Sequence, residues 1–545
     1  MKDSRFIYNF TKSFMRPYKG AFVAIILLGF VATITRLVAP YVIGLFVDGL
    51  TVSASTEIII IISIILAVTK MVERITVYFS KIVSNRASFV ISFDIAKVVI
   101  ETLHRVPIAK LGEDFKAKTV NNINNDSYFI TQFVVNFLSI FPGMVLLFVF
   151  PMLYVFSIDR LFGIFVLLAL PLYVVAYRAL KNKLFTRTMD FENQMSTYFA
   201  TLSLQLFNTK FIKLNNIGDK LIVKLSKAMD LMIFKLIKKV KIEYMFDSIG
   251  DLLQLCFQVI LMAYGGILVV NGTMNIGAFV ALTIYFPMVI GTIGYFMEIG
   301  KQIQENKVFV TRLTELKDTE QETNGNIKLD KILSITCSDL NFSYGDKHVF
   351  LNFNQRFETG KTYVLLGENG KGKSTLVSLI LGLYNDNYIG SIKYNETEIL
   401  DIDMRHTRGS LVGISAQEPI LLADTIKYNM TFEDNENANT EKLNALIDDL
   451  GLSDYIDSTK DSLETVITEE SSNLSGGQKQ KISIIQAIYK DPQLLVLDEP
   501  TSALDDDSRA RLLNCLHKTK SDRITIIITH DKEFMDIADE IIVLG

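Results

Sequence analysis

Apolar residues along this 545-residue chain follow two different patterns. Up to about residue 316 they gather in long runs, at 21–47, 58–79, 129–156, 161–180, 245–270 and 277–299. About 20 apolar residues in a helix cross a hydrocarbon layer of roughly 30 Å, so the pattern predicts six transmembrane helices. Pro40, Pro142, Pro151, Pro171 and Pro287 fall inside these runs, a placement membrane helices tolerate because neighbouring groups satisfy the freed carbonyls. Segments 81–128 and 181–244 keep helical apolar spacing while turning polar. They predict helices that continue out of the membrane, because structureless loops of about 50 residues are rare in compact domains.

Beyond this half the apolar runs shorten. The polar stretch KDTEQETNGNIKLD opens a linker at 317–333. YVLL (363–366), LLVLD (494–498) and ITIIIT (524–529) then alternate with helical segments, which predicts an α/β domain over 334–545 with a mostly parallel sheet. The fold class expected is therefore multi-domain: an all-α, six-helix membrane domain at 1–316 followed by an α/β domain.

Charge separates the halves as sharply. Residues 1–316 hold 32 Lys and Arg against 20 Asp and Glu, and residues 317–545 hold 23 against 39. The acidic second half does not suit the phosphate backbone of nucleic acid. In the first half the basic residues avoid alternate loops: 48–57 and 271–276 have none and 157–160 has one, whereas the N-terminal segment, 81–128 and 181–244 are rich in them. Positive charge collects on the cytoplasmic side, so both termini and the α/β domain are expected in the cytoplasm, with the chain embedded in the cell membrane. No short apolar region with a small-residue cleavage site opens the chain, so no removable signal peptide is expected. Cys256, Cys337 and Cys515 are scattered and odd in number, and read as small hydrophobes in a reducing compartment.

Ionisable residues inside spans are costly and mark candidate cavities. Arg36 and Lys70 lie 11 and 12 residues from the outer ends of the first two runs, roughly 16–18 Å deep at 1.5 Å per residue. Glu73 and Arg74 follow within a turn. Arg36, Lys70 and Glu73 thus form either a polar patch that touches substrate in a central cavity, or a fastening in which Arg36 pairs with Glu73 across two helices. Glu298, Gln254 and Asp251 are further candidates near the inner interface.

The strongest chemical signal is Gly367-Glu368-Asn369-Gly370-Lys371-Gly372-Lys373-Ser374, with Thr375 after it. It follows the YVLL strand and opens a helix. Backbone N–H groups of such a loop wrap phosphate oxygens, the helix N-terminus adds positive potential, Lys373 reaches the β- and γ-phosphates, and the Ser374 hydroxyl holds Mg²⁺. ATP and Mg²⁺ are the cofactors this implies. Asp498 ends a buried strand where it can hold the metal, and Glu499 directly after it is placed to activate water. His530 closes ITIIITH at a strand C-terminus, where ligands gather, and reads as a γ-phosphate contact.

Between these motifs stands Leu474-Ser475-Gly476-Gly477-Gln478, with glycines before a helix that make a second phosphate cradle. With this string the chain resembles the ATP-binding cassette (ABC) transporters, in the exporter arrangement of a membrane domain fused to a P-loop ATPase domain. The resemblance implies that the second cradle serves the ATP of an opposite subunit, so that a homodimer closes on two nucleotides. It further implies that Tyr344 stacks on adenine, that Gln417 is a Mg²⁺ and water ligand, and that Ser502 to Asp505 form a loop crossing the dimer interface. Glu469 and the segment from Pro107 to Asp126 are implied to connect the two halves. Gln486 departs from the family, which usually has Arg there.

The activity implied is ATP-driven export of an amphipathic substrate, a small peptide or drug-like molecule, across the lipid bilayer by alternating access. Segments such as YNDNYIGSIKYNETEI are similar to those of microcin-type peptide exporters. A lipid flippase of the same architecture, one subunit of a heterodimer, and an ATP-gated channel or regulator are the competing readings. A soluble remodelling ATPase is opposed by the six apolar runs. With about 20 residues before the first run, no N-terminal cysteine peptidase is expected.

Overall fold

The computed structural model describes all residues except 1, 52–55, 109–112, 168, 346, 385–387, 434–438, 469–472 and 545. Two compact units are present, one comprising 1–106 and 111–319, the other 320–545 with 107–110.

The first unit is helical: α1 (Lys2–Met15), α2 (Lys19–Thr51), α3 (Thr56–Leu103), α4 (Glu113–Ile158), α5 (Arg160–Leu167), α6 (Ala169–Phe207), α7 (Thr209–Asn215), α8 (Gly218–Ile260), α9 (Gly266–Val270) and α10 (Ile276–Lys317). A π-helical stretch, Leu261–Gly265, joins α8 to α9. The polar segments between the apolar runs are thus largely helical, as their spacing predicts. Among the described residues four helical stretches, 5–51, 123–158, 218–270 and 276–317, are long and apolar enough to cross a membrane. The other two expected spans fall on α3, where Lys70, Glu73 and Arg74 interrupt the apolar run, and on α5 and α6, which flank residue 168.

Small residues let these helices approach closely. A Cβ on Gly44 of α2 would lie 2.8 Å from the Gly277 carbonyl oxygen of α10, so the backbones meet where a larger residue has no room. The Gly277 N–H donates to Asp48 Oδ1 at 2.7 Å, giving the α10 N-terminus an anionic acceptor. One apolar cluster gathers α4, α6, α8 and α10 around Leu184, Val289 and Ile290. Another gathers α1 to α4 and α10 around Ile25, Ile95, Ile130 and Val310.

The second unit carries two sheets. Strands β1 (Ser334–Tyr344), β2 (Lys347–Glu358), β4 (Tyr388–Tyr394) and β5 (Thr397–Glu398) form an antiparallel sheet in the order β2-β1-β4-β5. Strands β3 (Thr362–Leu366), β6 (Val412–Ser415), β7 (Leu494–Asp498), β8 (Ile524–Ile528) and β9 (Glu540–Val543) form a parallel sheet in the order β6-β7-β8-β3-β9. All five residues of β8 are buried, which is why it reads as an unbroken apolar run: a parallel sheet is covered on both faces. The antiparallel sheet is the element the sequence pattern did not predict.

One buried ionic contact ties three helices of the first unit. Arg312 on α10 donates from Nε to Asp126 Oδ2 of α4 at 2.8 Å, and a second guanidinium nitrogen donates to Asp126 Oδ1. Its remaining nitrogen lies 3.6 Å from Glu192 Oε2 of α6. All three side chains are buried. Replacing Arg312 by Ala leaves two carboxylates without their cation. The expected cost is about 3–5 kcal/mol, seen as a lower melting temperature of the solubilised protein. An unchanged melting temperature would deny the clasp any structural weight.

Candidate active site

The parallel sheet places the chemistry. Leu365 of β3 pairs with Ile528 of β8, and Ile528 pairs with Asp498 of β7. The glycine loop after β3 and the acidic pair at the end of β7 therefore emerge at the same edge, two strand spacings or about 10 Å apart. Ligands of open α/β sheets collect at this carboxyl edge.

The loop's backbone is one that only glycine adopts without strain at two crowded points. Gly372 has φ +96°, and a Cβ there would lie 2.6 Å from Val349 Cγ1. Gly367 has φ +151°, with the Leu544 carbonyl oxygen 2.6 Å from where its Cβ would be. The chain then turns directly into the helix Lys373–Ile380. Lys373 is buried, and its ammonium donates to the carbonyl oxygens of Gly367 and Glu368. The cation is thus held over its own loop.

Opposite the loop, Ser374 Oγ donates to Asp498 Oδ2 at 3.4 Å. A hydroxyl beside a carboxylate is a hard-oxygen pair, the donor set Mg²⁺ takes. Glu499 has φ +45°, a left-handed turn at a non-glycine residue of the kind that concentrates at active sites. Its N–H donates to the Ile528 carbonyl at 2.8 Å, and its Oε2 accepts from Gln417 Nε2 at 3.0 Å. Burial pushes the Asp498 carboxyl above the ordinary aspartate range and the Glu499 charge adds to this; the Ser374 bond and the Lys373 charge act the other way.

These groups line one cavity of about 510 Å³: Tyr344, Asn369, Gly370, Gly372, Lys373, Ser374, Thr375, Gln417, Asp498 and Glu499 all face it. Tyr344 is half exposed, edge-on to Phe342 and Tyr384 with centroids 4.9 and 5.9 Å away, and its hydroxyl lies 3.5 Å from Thr375 Oγ1. Lys347, Val349 and Ile528 complete the wall. Sequence reasoning missed these three, although Val349 opens onto the same hairpin that Tyr344 ends.

Other expected site residues lie elsewhere. Leu474 is buried, while Ser475 and Gly476 are exposed at the start of the helix Gly476–Tyr489. Ser475 caps it reciprocally with Gln478: its N–H donates to Gln478 Oε1 at 2.7 Å and its Oγ accepts from the Gln478 N–H at 3.2 Å. Gly477 is required by the Ala503 carbonyl oxygen, 2.9 Å from where its Cβ would be. None of these residues lines the cavity. Asp505 caps the helix Asp506–Lys518, accepting from the Ser508 N–H at 2.9 Å, and that bonding holds its carboxyl below the usual range. His530 is exposed, two residues past β8. Lys371 is exposed on the loop. Glu469 and residues 109–112 of the Pro107 to Asp126 segment lie outside the described residues.

In the helical unit Arg36 and Glu73 line a cavity of about 440 Å³ together with Thr33, Ser80, Lys81, Ser84, Asn85 and Asn136. Glu73 pairs with Lys70 of its own helix at 2.8 Å, and among the described residues Arg36 forms no ion pair. The proposed Arg36–Glu73 fastening is therefore not what occupies Glu73 here.

The raised Asp498 carboxyl has a consequence for stability. A carboxyl that ionises at higher pH when folded than when unfolded favours folding below its unfolded pKa, and that advantage is lost as pH rises through its folded value. Asp498→Asn should therefore raise the melting temperature at neutral pH without nucleotide, with the gain fading as pH falls towards about 3.9. A lower melting temperature at pH 7 would contradict the burial argument.

The ABC transporter family pattern matches residues 350–502, and the ABC transporter transmembrane region matches residues 22–293. The chain is 34% identical over 226 residues to ABC transporter B family member 21 of Arabidopsis thaliana, a match covering 41% of the chain and 17% of that protein. It is 33% identical over 250 residues to the ATP-dependent lipid A-core flippase of Saccharophagus degradans, covering 45% of the chain and 42% of the flippase. The chain thus spans less than half the length of these curated relatives. A solved bacterial Atm1-family ABC exporter with ATP bound shares its fold, with a TM-score of 0.84 at 20% identity over 97% of this chain and 94% of that one. Family patterns over both halves, joined by one exporter fold, make this chain a member of the ABC transporters, with a helical membrane region fused to the family's ATP-binding domain.

Proposed function

We propose that the chain is an ATP-driven exporter that works as a homodimer in the cell membrane, with six crossings and its ATPase domain in the cytoplasm. The observation that carries this reading is a division of labour in the second unit. Lys373, Ser374, Asp498, Glu499 and Gln417 face one cavity, while the helix N-terminus at Gly476 and Gly477 is solvent-facing and apart from it. Two copies arranged head to tail bring the loop of one to the signature segment of the other, which supports two composite sites.

Residues 367–375 hold the phosphates, Tyr344 packs on the adenine, and Ser374, Asp498 and Gln417 are the residues to hold Mg²⁺. The metal, when bound, neutralises charge on the phosphate oxygens. Glu499, oriented by Gln417, takes a proton from the water that attacks the γ-phosphorus, and His530 contacts the same phosphate. The Leu474–Gln478 segment of the second copy closes over the nucleotide, with Asp505 on the loop beside it. Nucleotide binding favours the closed dimer and hydrolysis removes that preference, which is the differential affinity that moves a conformational equilibrium.

The cargo is an amphipathic molecule, a small peptide or a drug, received in the cavity lined by Arg36 and Glu73, with Lys70 paired to Glu73. A lipid is the second reading, favoured by the 33% and 32% identities to two proteins named lipid A-core flippases.

Glu499→Gln should slow hydrolysis by about 10²–10⁴-fold, the usual contribution of a positioned base, and should retain ATP in a dimer that is stable to gel filtration. A variant that stays monomeric at saturating Mg-ATP and holds no nucleotide would refute the composite site.

A further inference from the structure

The helix Lys373–Ile380 starts at the phosphate loop, and its far end is fixed as firmly. Gly382 has φ +68°. Its N–H donates to the Leu379 carbonyl at 3.0 Å, and the Leu383 N–H donates to the Ser378 carbonyl at 2.9 Å. Two such bonds around a left-handed glycine close a helix C-terminus and set the direction of the chain beyond it. The next residue is Tyr384. One continuous segment therefore carries Lys373 at its start and Tyr384 at its end.

Tyr384 does not line the nucleotide cavity, yet it closes an aromatic triangle with Tyr344, which does. Its ring centroid lies 5.9 Å from that of Tyr344 and 5.5 Å from that of Phe342, and Phe342 lies 4.9 Å from Tyr344. Phe342 is buried in the core of the unit, Tyr384 is partly buried, and Tyr344 is 47% exposed. Both neighbours meet the Tyr344 ring almost at right angles, 88° for Phe342 and 84° for Tyr384, the edge-to-face arrangement that ring quadrupoles favour. A hydrogen bond to the Tyr344 hydroxyl, together with burial, pushes the Tyr384 phenol up to about 12. The Tyr344 hydroxyl also lies 3.5 Å from Thr375 Oγ1, so three groups restrain a ring that is otherwise open to solvent. Restraint set in advance removes the cost of ordering that side chain from the binding step.

We infer that Tyr384 is a positioning residue for the nucleotide base: its ring, edge-on to Tyr344, holds Tyr344 in the orientation that receives adenine, and so lets the chain prefer a nucleotide to a bare polyphosphate. The inference rests on the reading of Tyr344 as the adenine contact and adds the residue that fixes its geometry. Because Tyr384 ends the segment that the phosphate loop begins, the wall for the base and the cradle for the phosphates are held at one separation by the same helix.

The test compares two ligands on the full solubilised chain by calorimetry with Mg²⁺ present: AMP-PNP, which resists hydrolysis, and inorganic tripolyphosphate, which has no base. Tyr384→Leu and, as a polar second variant, Tyr384→Gln should each weaken AMP-PNP by roughly threefold to tenfold, the scale of one aromatic pair, and leave tripolyphosphate unchanged. Tyr384→Phe keeps the ring and should recover most of the loss. On a Tyr344→Leu background, Tyr384→Leu should cost nothing further, because it acts through Tyr344. Equal weakening of both ligands in both variants would mark a general disturbance of the fold and overturn the inference. So would a Phe variant as weak as the Leu one, or a full further loss on the Tyr344→Leu background. If Tyr344→Leu weakens AMP-PNP alone while neither Tyr384→Leu nor Tyr384→Gln does, the positioning role fails and the adenine contact stands. If Tyr344→Leu leaves the ratio of the two affinities unchanged, the adenine contact itself fails and Tyr384 has nothing to position.

Discussion

Three parallel strands in fixed register hold Leu365, Ile528 and Asp498 side by side, and the chemistry of the second unit depends on that row. Each hydrogen-bonded ladder spaces its strands by about 4.8 Å, so the start of the glycine loop and the acidic pair cannot drift relative to each other without breaking buried backbone bonds. The ladder runs one step further than the strand: the Glu499 N–H donates to the Ile528 carbonyl. Glu499 is thereby fixed by the sheet at a φ its side chain disfavours, and the burial of β8 on both faces is what resists relaxation.

From that frame the side chains divide between two demands. Burial pushes Asp498 towards its neutral form, although a metal ligand has to be charged. Lys373 and Ser374 oppose the burial, and both come from the helix that the glycine loop starts. Gly372 permits that approach because only a residue without Cβ fits against Val349. The loop therefore does two things at once, shaping a cradle for phosphate and bringing the cation that keeps the neighbouring carboxylate usable.

Much of this was readable from the residues because each piece has a short-range signature. Glycines at fixed offsets after an apolar strand, and acids at the end of another, declare their own geometry. The antiparallel sheet was not legible: β1 is interrupted by register shifts between Cys337 and Leu340 and again towards Phe342, which break the period-2 alternation that betrays a strand. Tertiary pairings were also beyond reach. Lys70 takes Glu73 at an i, i+3 spacing within one helix, a contact as available from sequence as the cross-helix one with Arg36, and only packing decides between them.

The signature segment shows why a single copy is chemically incomplete under the proposed mechanism. A helix begins with N–H groups that its own turns cannot satisfy. At Gly476–Tyr489 the capping pair uses the N–H groups of Ser475 and Gln478, which leaves those of Gly476 and Gly477 without a partner inside the helix. They sit at the positive end of the helix dipole, where an anion is favoured. Side chains there would shield them, and Gly477 has no room for one beside Ala503. The same chain keeps its phosphate loop and acids in a separate cavity, so an anion held by Lys373 does not reach these donors within one copy. In the proposed homodimer a second copy presents its bound nucleotide to this exposed end, satisfies them and adds the charge-assisted bonds that make closure depend on the γ-phosphate. That dependence is what allows hydrolysis, by removing one anionic group, to release the pair.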